Sequence, residues 1–303
     1  MMSASINPRT GLRETVDEFY GIPHVHQRGL GSLKLHGQPN AVHTVPIGAG
    51  LTLDFYSKLG KSDEIVVTFM GANLASKNFY PRFARVVTMK PLVPAFMAFA
   101  DPTLLMDPAR EMRLAWYLGG PGFDPAPLIL KAIRKAQGKA GAKHVAFVGG
   151  SGGGLVALRL SAMLPGSMAF VQESATNIAH SFPSTVATYF KTMWPGWNQE
   201  KLLHALPERF DMVRHYATYS PENYVYYAQS TGDQFYRQKH YTPFKEACGV
   251  QDPSGSTQDG SRDFVLYEGE VEGHGKITSA EFDHHFNNAL SMWRGYREKR
   301  DNK

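Results

Sequence analysis

The chain reads as an α/β protein with a mostly parallel central sheet flanked by helices, and three observations carry that reading. Apolar or alternating runs of strand length recur at 51–58, 64–70, 92–100, 144–149, 167–173, 223–231 and 263–269. Stretches with helical character lie between most of them. One strand-like run, 144–149, passes through a cluster of glycines straight into a helix-like run, a sharp strand-to-helix corner.

The elements follow in order. Residues 1–50 are rich in Gly, Pro and His without sustained periodicity, and an irregular N-terminal arm is expected there, ahead of an α/β domain at 51–303. "LTLDFYSK" (51–58) alternates like a half-buried strand, "EIVVTFM" (64–70) reads as a buried one, and "LVPAFMAFA" (92–100) is stopped by Asp101-Pro102. A helix from about Ala126 to Gln137 is entered through "GFDPAP" and left through "GKAGAK". The strand 144–149, the glycine turn and a helix ending at Pro165-Gly166 come next, then the strand "SMAFVQE". Residues 179–222 break the rhythm with Phe182, Tyr189, Phe190, Trp194 and Trp197 among helical residues, and a cap over a pocket or an accessory helical layer is expected. The strand "NYVYYAQST", a helix-like run, the polar loop 249–261, the strand "DFVLYEG" and a last helix over 279–299 complete the chain. No internal repeat is visible.

Composition narrows the function. The 303 residues are 43% hydrophobic and 19% charged, enough for a sizeable core. The net charge of +5 is not gathered into a basic stripe, the terminal "YREKRDNK" excepted, so no nucleic-acid partner is expected. A single cysteine, Cys248, excludes an intramolecular disulfide framework. The first residues lack the apolar core of a secretory signal, and the apolar run 92–100 is far too short for a membrane span, so a cytoplasmic protein is expected. His24 with His26, and His284 with His285, lack metal-ligand spacing, and no metal or cofactor is expected.

The glycine cluster "GGSGGG" (149–154) admits more than one reading. Gly152, Gly154 and Ala157 satisfy the dinucleotide pattern G-x-G-x-x-A, and Glu173 stands roughly 20 residues on, where a ribose-binding acid would be. A phosphate loop is excluded, because no lysine follows the glycines. Gly149-Gly150-Ser151-Gly152-Gly153 also satisfies G-x-S-x-G between a strand and a helix, the setting of a nucleophilic serine. A glycine-rich packing turn in a protein without catalysis remains the third reading.

A nucleophilic serine needs a base, and the base an orienting acid, in the chain order Ser, Asp or Glu, His. Asp233 in "STGD" follows one strand and His274 in "EGHG" follows the last. His240 competes for the base and Glu173 for the acid. The loop after the early buried strand, "MGAN", offers the N–H of Gly71 or Ala72 as an oxyanion donor beside that of Gly152.

These motifs together resemble the α/β-hydrolase superfamily of serine hydrolases, over roughly Leu51 to Trp293. "FMGA", "FADPTL", "AWYLGG" and "GGSGGG" are also similar to a bacterial group of such proteins, some of whose relatives are associated with glycan acetylation or deacetylation. The resemblance implies an α/β-hydrolase fold and a serine esterase or acyltransferase on a glycan or other small ester. Ser151, Asp233 and His274 would be catalytic, with Gly152, Ala72 and Gly71 at the oxyanion. Many esterases carry His-Gly where this chain has Met70-Gly71.

Overall fold

The computed structural model describes residues 5–35, 40–73 and 79–302. The chain divides into two compact units, one of residues up to Val145 with Thr192–Trp194, the other of Ala146–Lys191 with Pro195–Lys303.

The first unit begins with a correction. The stretch expected as an irregular arm forms four strands: β1 (Ser5–Ile6), β2 (Arg13–Asp17), β3 (Ile22–His26) and β4 (Ala41–Gly48). β1 to β3 are short and largely half-exposed, and β4 carries the buried His43, which masks their alternation. His43 on β4 is fully buried, its Nδ1 facing Gln27 Nε2 at 3.0 Å and its Nε2 facing Ser57 Oγ at 3.0 Å. Because the glutamine amide donates to Nδ1, the imidazole N–H is on Nε2 and donates to the serine. β4 turns back into β5 (Leu51–Leu59) through Ala49 and Gly50, both at positive φ (51° and 74°), the backbone that two-residue hairpins demand. β6 (Glu64–Phe69) and β7 (Ala95–Phe99) follow, β7 pairing antiparallel with β5 and parallel with β6. Leu92, expected in that strand, closes the helix Val86–Leu92 instead. The helix Ala126–Ala140 buries Ile129, Leu130, Ile133 and Ala136 along one face and ends on Gly141 at φ 77°.

In the second unit, β8 (His144–Ser151, from Ala146 onward), β9 (Met168–Ser174), β10 (Tyr224–Ser230) and β12 (Arg262–Tyr267) are parallel neighbours in that order. The short β11 (Gly255–Ser256), from the polar loop 249–261, pairs antiparallel with β12. Strands buried on both faces read as continuous apolar runs, as "HVAFVG" and "MAFVQ" do. The helix Ser279–Asp301 starts with a capping box, Thr278 and Glu281, and packs Phe282 and Phe286 on Phe170 of β9, with ring centroids 5.6 and 5.8 Å away. The helices Pro183–Met193, Gln199–Ala205, Pro207–Phe210 and Met212–Tyr219 account for the 179–222 region. Its aromatics divide: Tyr189, Phe190 and Trp194 are buried, whereas Phe182 and Trp197 are exposed. No helix among the described residues is long and apolar enough to cross a membrane.

All four parallel strands present their carboxyl ends on one edge, where ligands of open α/β sheets bind. Ser151, Glu173, Asp233 and His274 lie at or just beyond those four ends. Phe170 also meets Tyr226, and it is almost wholly buried. Phe170→Ala is therefore expected to cost about 3–5 kcal/mol in urea unfolding, as deletion of a packed aromatic ring does.

Candidate active site

The serine stands on a forced corner. Ser151 ends β8 at φ 51°, ψ −128°, and Gly152 opens the helix Gly152–Ala162. Its carbonyl accepts the N–H of Ala175 at 2.9 Å, which fixes the corner to the end of β9. Two of the surrounding glycines are explained by approach distance. A Cβ on Gly149 would lie 2.1 Å from the Gly153 carbonyl oxygen, and one on Gly154 would lie 2.2 Å from Ser174 Oγ. The N–H of Gly152 has no intrahelical acceptor and lies at the positive end of the helix dipole.

Asp233 and His274 arrive from the next two strand ends. Asp233 caps the short helix Gln234–Tyr236, its Oδ1 accepting the N–H of Tyr236 at 3.1 Å, and its Oδ2 lies 2.7 Å from His274 Nδ1. His274 Nε2 lies 2.8 Å from Ser151 Oγ. A carboxylate only accepts, so Nδ1 carries the proton to Asp233 and Nε2 is left to accept from the serine hydroxyl. The loop that carries His274 is tied down on several sides. Gly273 N–H donates to the Gly232 carbonyl at 3.3 Å, Glu270 N–H to Glu281 Oε1 at 2.8 Å and Gly275 N–H to Glu173 Oε2 at 2.7 Å.

Two residues outside the expected serine, acid and base complete the group. Glu173, 2% exposed, has its Oε2 3.9 Å from His274 Nδ1. Burial, reinforced by the charge of Asp233, pushes its carboxyl up to about 7. The ribose-binding position imagined for Glu173 in a dinucleotide site is thus occupied by contacts to the histidine loop. Tyr236 was not anticipated. Its ring stacks on the His274 imidazole at 3.7 Å and 15°, and its hydroxyl lies 3.4 Å from Ser151 Oγ. The aromatic pair "FY" directly after the acid loop was its sequence signal. Phe182 meets His274 edge-on at 6.0 Å and stacks with Phe235 at 5.3 Å.

Other candidates separate from this group. His240 is fully buried, its Nδ1 accepts the N–H of Thr176 at 3.2 Å, and burial lowers it to about 3. It is neutral at physiological pH and bound to backbone, unsuited to the base role. Burial pushes the Cys248 thiol up to about 11, away from the reactive thiolate. Gly71 and Ala72 lie in the first unit. Met70 N–H donates to Tyr117 Oη at 2.9 Å, Asn73 N–H to the Arg113 carbonyl at 2.9 Å, and Arg82 to the Ala72 carbonyl at 3.1 Å. The N–H groups of Gly71 and Ala72 between these ties donate to nothing among the described residues.

The mostly parallel sheet flanked by helices, with a serine corner between β8 and its helix, is the α/β-hydrolase fold. Among solved structures the chain is similar to the capsule O-acetyltransferase of Neisseria meningitidis serogroup A in complex with CoA. That match has 14% identity over 98% of this chain and 97% of the other, with a TM-score of 0.54. It is also similar to esterase B of Lactobacillus rhamnosis, at 12% identity over 90% and 91% of the two chains and a TM-score of 0.54. Carboxyl esterase 2 of Tuber melanosporum matches at 13% identity over 88% and 90%, with a TM-score of 0.52. At these identities the likeness is one of fold. No protein-family model and no curated protein matches the sequence.

The glycine distances give a paired prediction. Gly149→Ala drives a methyl into backbone and is expected to cost about 3 kcal/mol or more in denaturant unfolding, at the upper end of overpacking costs. Gly138→Ala, in a helix with nothing within 4 Å of the added Cβ, should instead stabilise by about 0.5–1 kcal/mol.

Proposed function

We propose that the chain is a serine hydrolase or acyltransferase that cleaves an ester through an acyl-enzyme on Ser151. The observation that carries this reading is the continuous hydrogen-bonded row from Ser151 Oγ to His274 Nε2 at 2.8 Å and from His274 Nδ1 to Asp233 Oδ2 at 2.7 Å. His274 takes the hydroxyl proton as Ser151 Oγ attacks the acyl carbon, and Asp233 holds the resulting imidazolium in place. The oxyanion forms at the N–H of Gly152, where the helix terminus favours negative charge. The second oxyanion donor, Gly71 or Ala72, is assigned from the sequence motif. His274 then gives its proton to the departing alcohol, and the acyl group stays on Ser151. An incoming water, or an acceptor alcohol in the transferase variant, surrenders a proton to His274 as it attacks the acyl carbon, and His274 returns that proton to Ser151 Oγ as the acyl–serine bond breaks.

The motif resemblance and the fold shared with a capsule O-acetyltransferase and with esterases support an O-acyl glycan or another small ester as the substrate class. The reaction as written needs no cofactor. The helices of 179–222 are proposed as a cap, on the ground that Phe182 lies at His274 and is 44% exposed.

Labelling with a fluorophosphonate probe tests the reading. The wild-type protein is expected to label once per chain, and Ser151→Ala to abolish the label. His274→Ala should slow labelling by about a thousandfold or more, and Asp233→Asn by a similar order, as loss of members of such a row does elsewhere. An unlabelled wild-type protein would sink the reading, and a label that survives Ser151→Ala would move the nucleophile.

A further inference from the structure

We propose that Glu173 is a positioning residue for His274, a second carboxylate that tethers the histidine loop and supports the imidazolium that forms when Ser151 is deprotonated. The inference rests on the serine-hydrolase reading above and adds a group that the reading does not use.

The argument starts from the strand. β9 pairs with β8 as Gly150 with Gln172, and the register then jumps so that Ser151 pairs with Ser174. Glu173 is the residue skipped, and its backbone is at φ 48°, a conformation that glutamate adopts at a cost. Bulges of this kind are found beside active sites, where they re-aim a side chain. Here the carboxylate is aimed at the His274 loop. One oxygen, Oε2, accepts the N–H of Gly275 at 2.7 Å and lies 3.9 Å from His274 Nδ1. The same atom thus fixes the backbone immediately after the histidine and faces the ring edge where positive charge develops.

A buried carboxyl with one hydrogen bond is expensive to ionise unless a positive charge is near. The groups facing Glu173 are Asp233 and Glu281, which oppose its ionisation, and His274 with the Gly275 N–H, which favour it. The hydroxyls of Tyr227, Tyr236 and Tyr267 also lie within its field. Protonation of His274 is the one change in this list that adds a positive charge. Glu173 and the imidazolium therefore stabilise each other, beyond what Asp233 supplies through its direct bond. Asp233 sets the tautomer; Glu173 sets the loop and the local field.

Glu173→Gln separates the two effects, because the amide oxygen can keep the Gly275 N–H while the charge is lost. The measurement is the rate of fluorophosphonate labelling against pH, for wild type, E173Q, E173A and S151A. The sign follows from the charge: loss of an anion that faces the imidazolium disfavours the protonated ring, so removal of the carboxylate moves the acid limb of the profile to lower pH. The expected movement in E173Q is about half a pH unit, less than for a permanent charge at ~4–6 Å because a carboxyl raised to about 7 is only partly ionised on the acid limb, with a maximal rate about tenfold lower. E173A should show the same movement of the limb and a further rate loss, since Gly275 loses its acceptor too. E173A decides the matter on its own if the amide variant does not fold. An acid limb that stays where the wild type has it overturns the proposal while S151A-sensitive labelling leaves the hydrolase reading standing. A wild-type protein that does not label, or labels without Ser151, overturns the hydrolase reading and the proposal with it.

Discussion

The corner at Ser151 is the constraint on which the rest of the site hangs. A serine at φ 51° and ψ −128° is unfavourable for an L-residue, and it persists because the surroundings leave the chain no other course. Strand β8 and the helix Gly152–Ala162 close on each other so tightly that Gly149 meets the backbone of Gly153. The helix in turn sits so near β9 that Gly154 meets Ser174. The Ala175 N–H then clamps the Ser151 carbonyl. The glycines are absences of side chain that let three backbones meet, and Ser151 is the one residue of the cluster with a reactive group. The register jump that opens space for the serine also ejects Glu173 from the β8–β9 ladder. One irregularity therefore shapes both the corner and the acid beside it.

The remainder of the site consists of loops held by hydrogen bonds to buried or capped carboxylates. Glu281 accepts from Thr278 and Glu270, Glu173 from Gly275, and Asp233 from Tyr236 and His274. Each carboxylate accepts at least one backbone N–H at short range, which offsets part of the desolvation of bringing Glu173 and Asp233 to one histidine. The face of the imidazole is covered by Tyr236, which keeps water from one side of the ring. Its position on a helix whose first turn is capped by Asp233 joins Asp233, His274 and Tyr236 through a cap, a hydrogen bond and a ring stack.

The sequence made the parallel half of the fold legible because its strands are apolar runs ending in turn residues. It made Ser151, Asp233 and His274 legible because each sits where a run stops. The first four strands are hidden in the sequence because β1 to β3 are short and half-exposed, while on β4 the buried His43, paired with Gln27 and Ser57, breaks the alternation that betrays a strand. Glu173 was visible as a strand-end acid, but its use depends on a bulge, and a bulge depends on pairing that one strand's letters do not encode. Tyr236 is an aromatic among many. Only the turn at Asp233 places its ring on the imidazole. Gly154, which the motif left without a task beyond close helix packing, is required by Ser174.

The segments that carry the narrower resemblance, "FADPTL" and "AWYLGG", lie in the first unit, and their chemistry is that of a brace. Asp101 is buried, with its carboxyl raised to about 6, and it accepts the N–H groups of Thr103 and Tyr117. Those bonds hold Trp116 and Tyr117 at positive φ, 49° and 55°, a conformation that bulky residues avoid unless it is enforced. Tyr117 Oη can then donate to the Phe99 carbonyl and accept from the Met70 N–H. The backbone of the Met70–Asn73 loop is thereby fixed from below, and Asn73 is tied to the Arg113 carbonyl on its other side. A loop proposed to offer N–H groups to an anion gains by being rigid before the anion forms, since reorientation at that moment would cost the stabilisation it provides. The brace supplies that rigidity through the Asp101 carboxylate and the Tyr117 hydroxyl, without the histidine that many esterases carry before the glycine. Met70 can stand there because its side chain is buried and its N–H is satisfied.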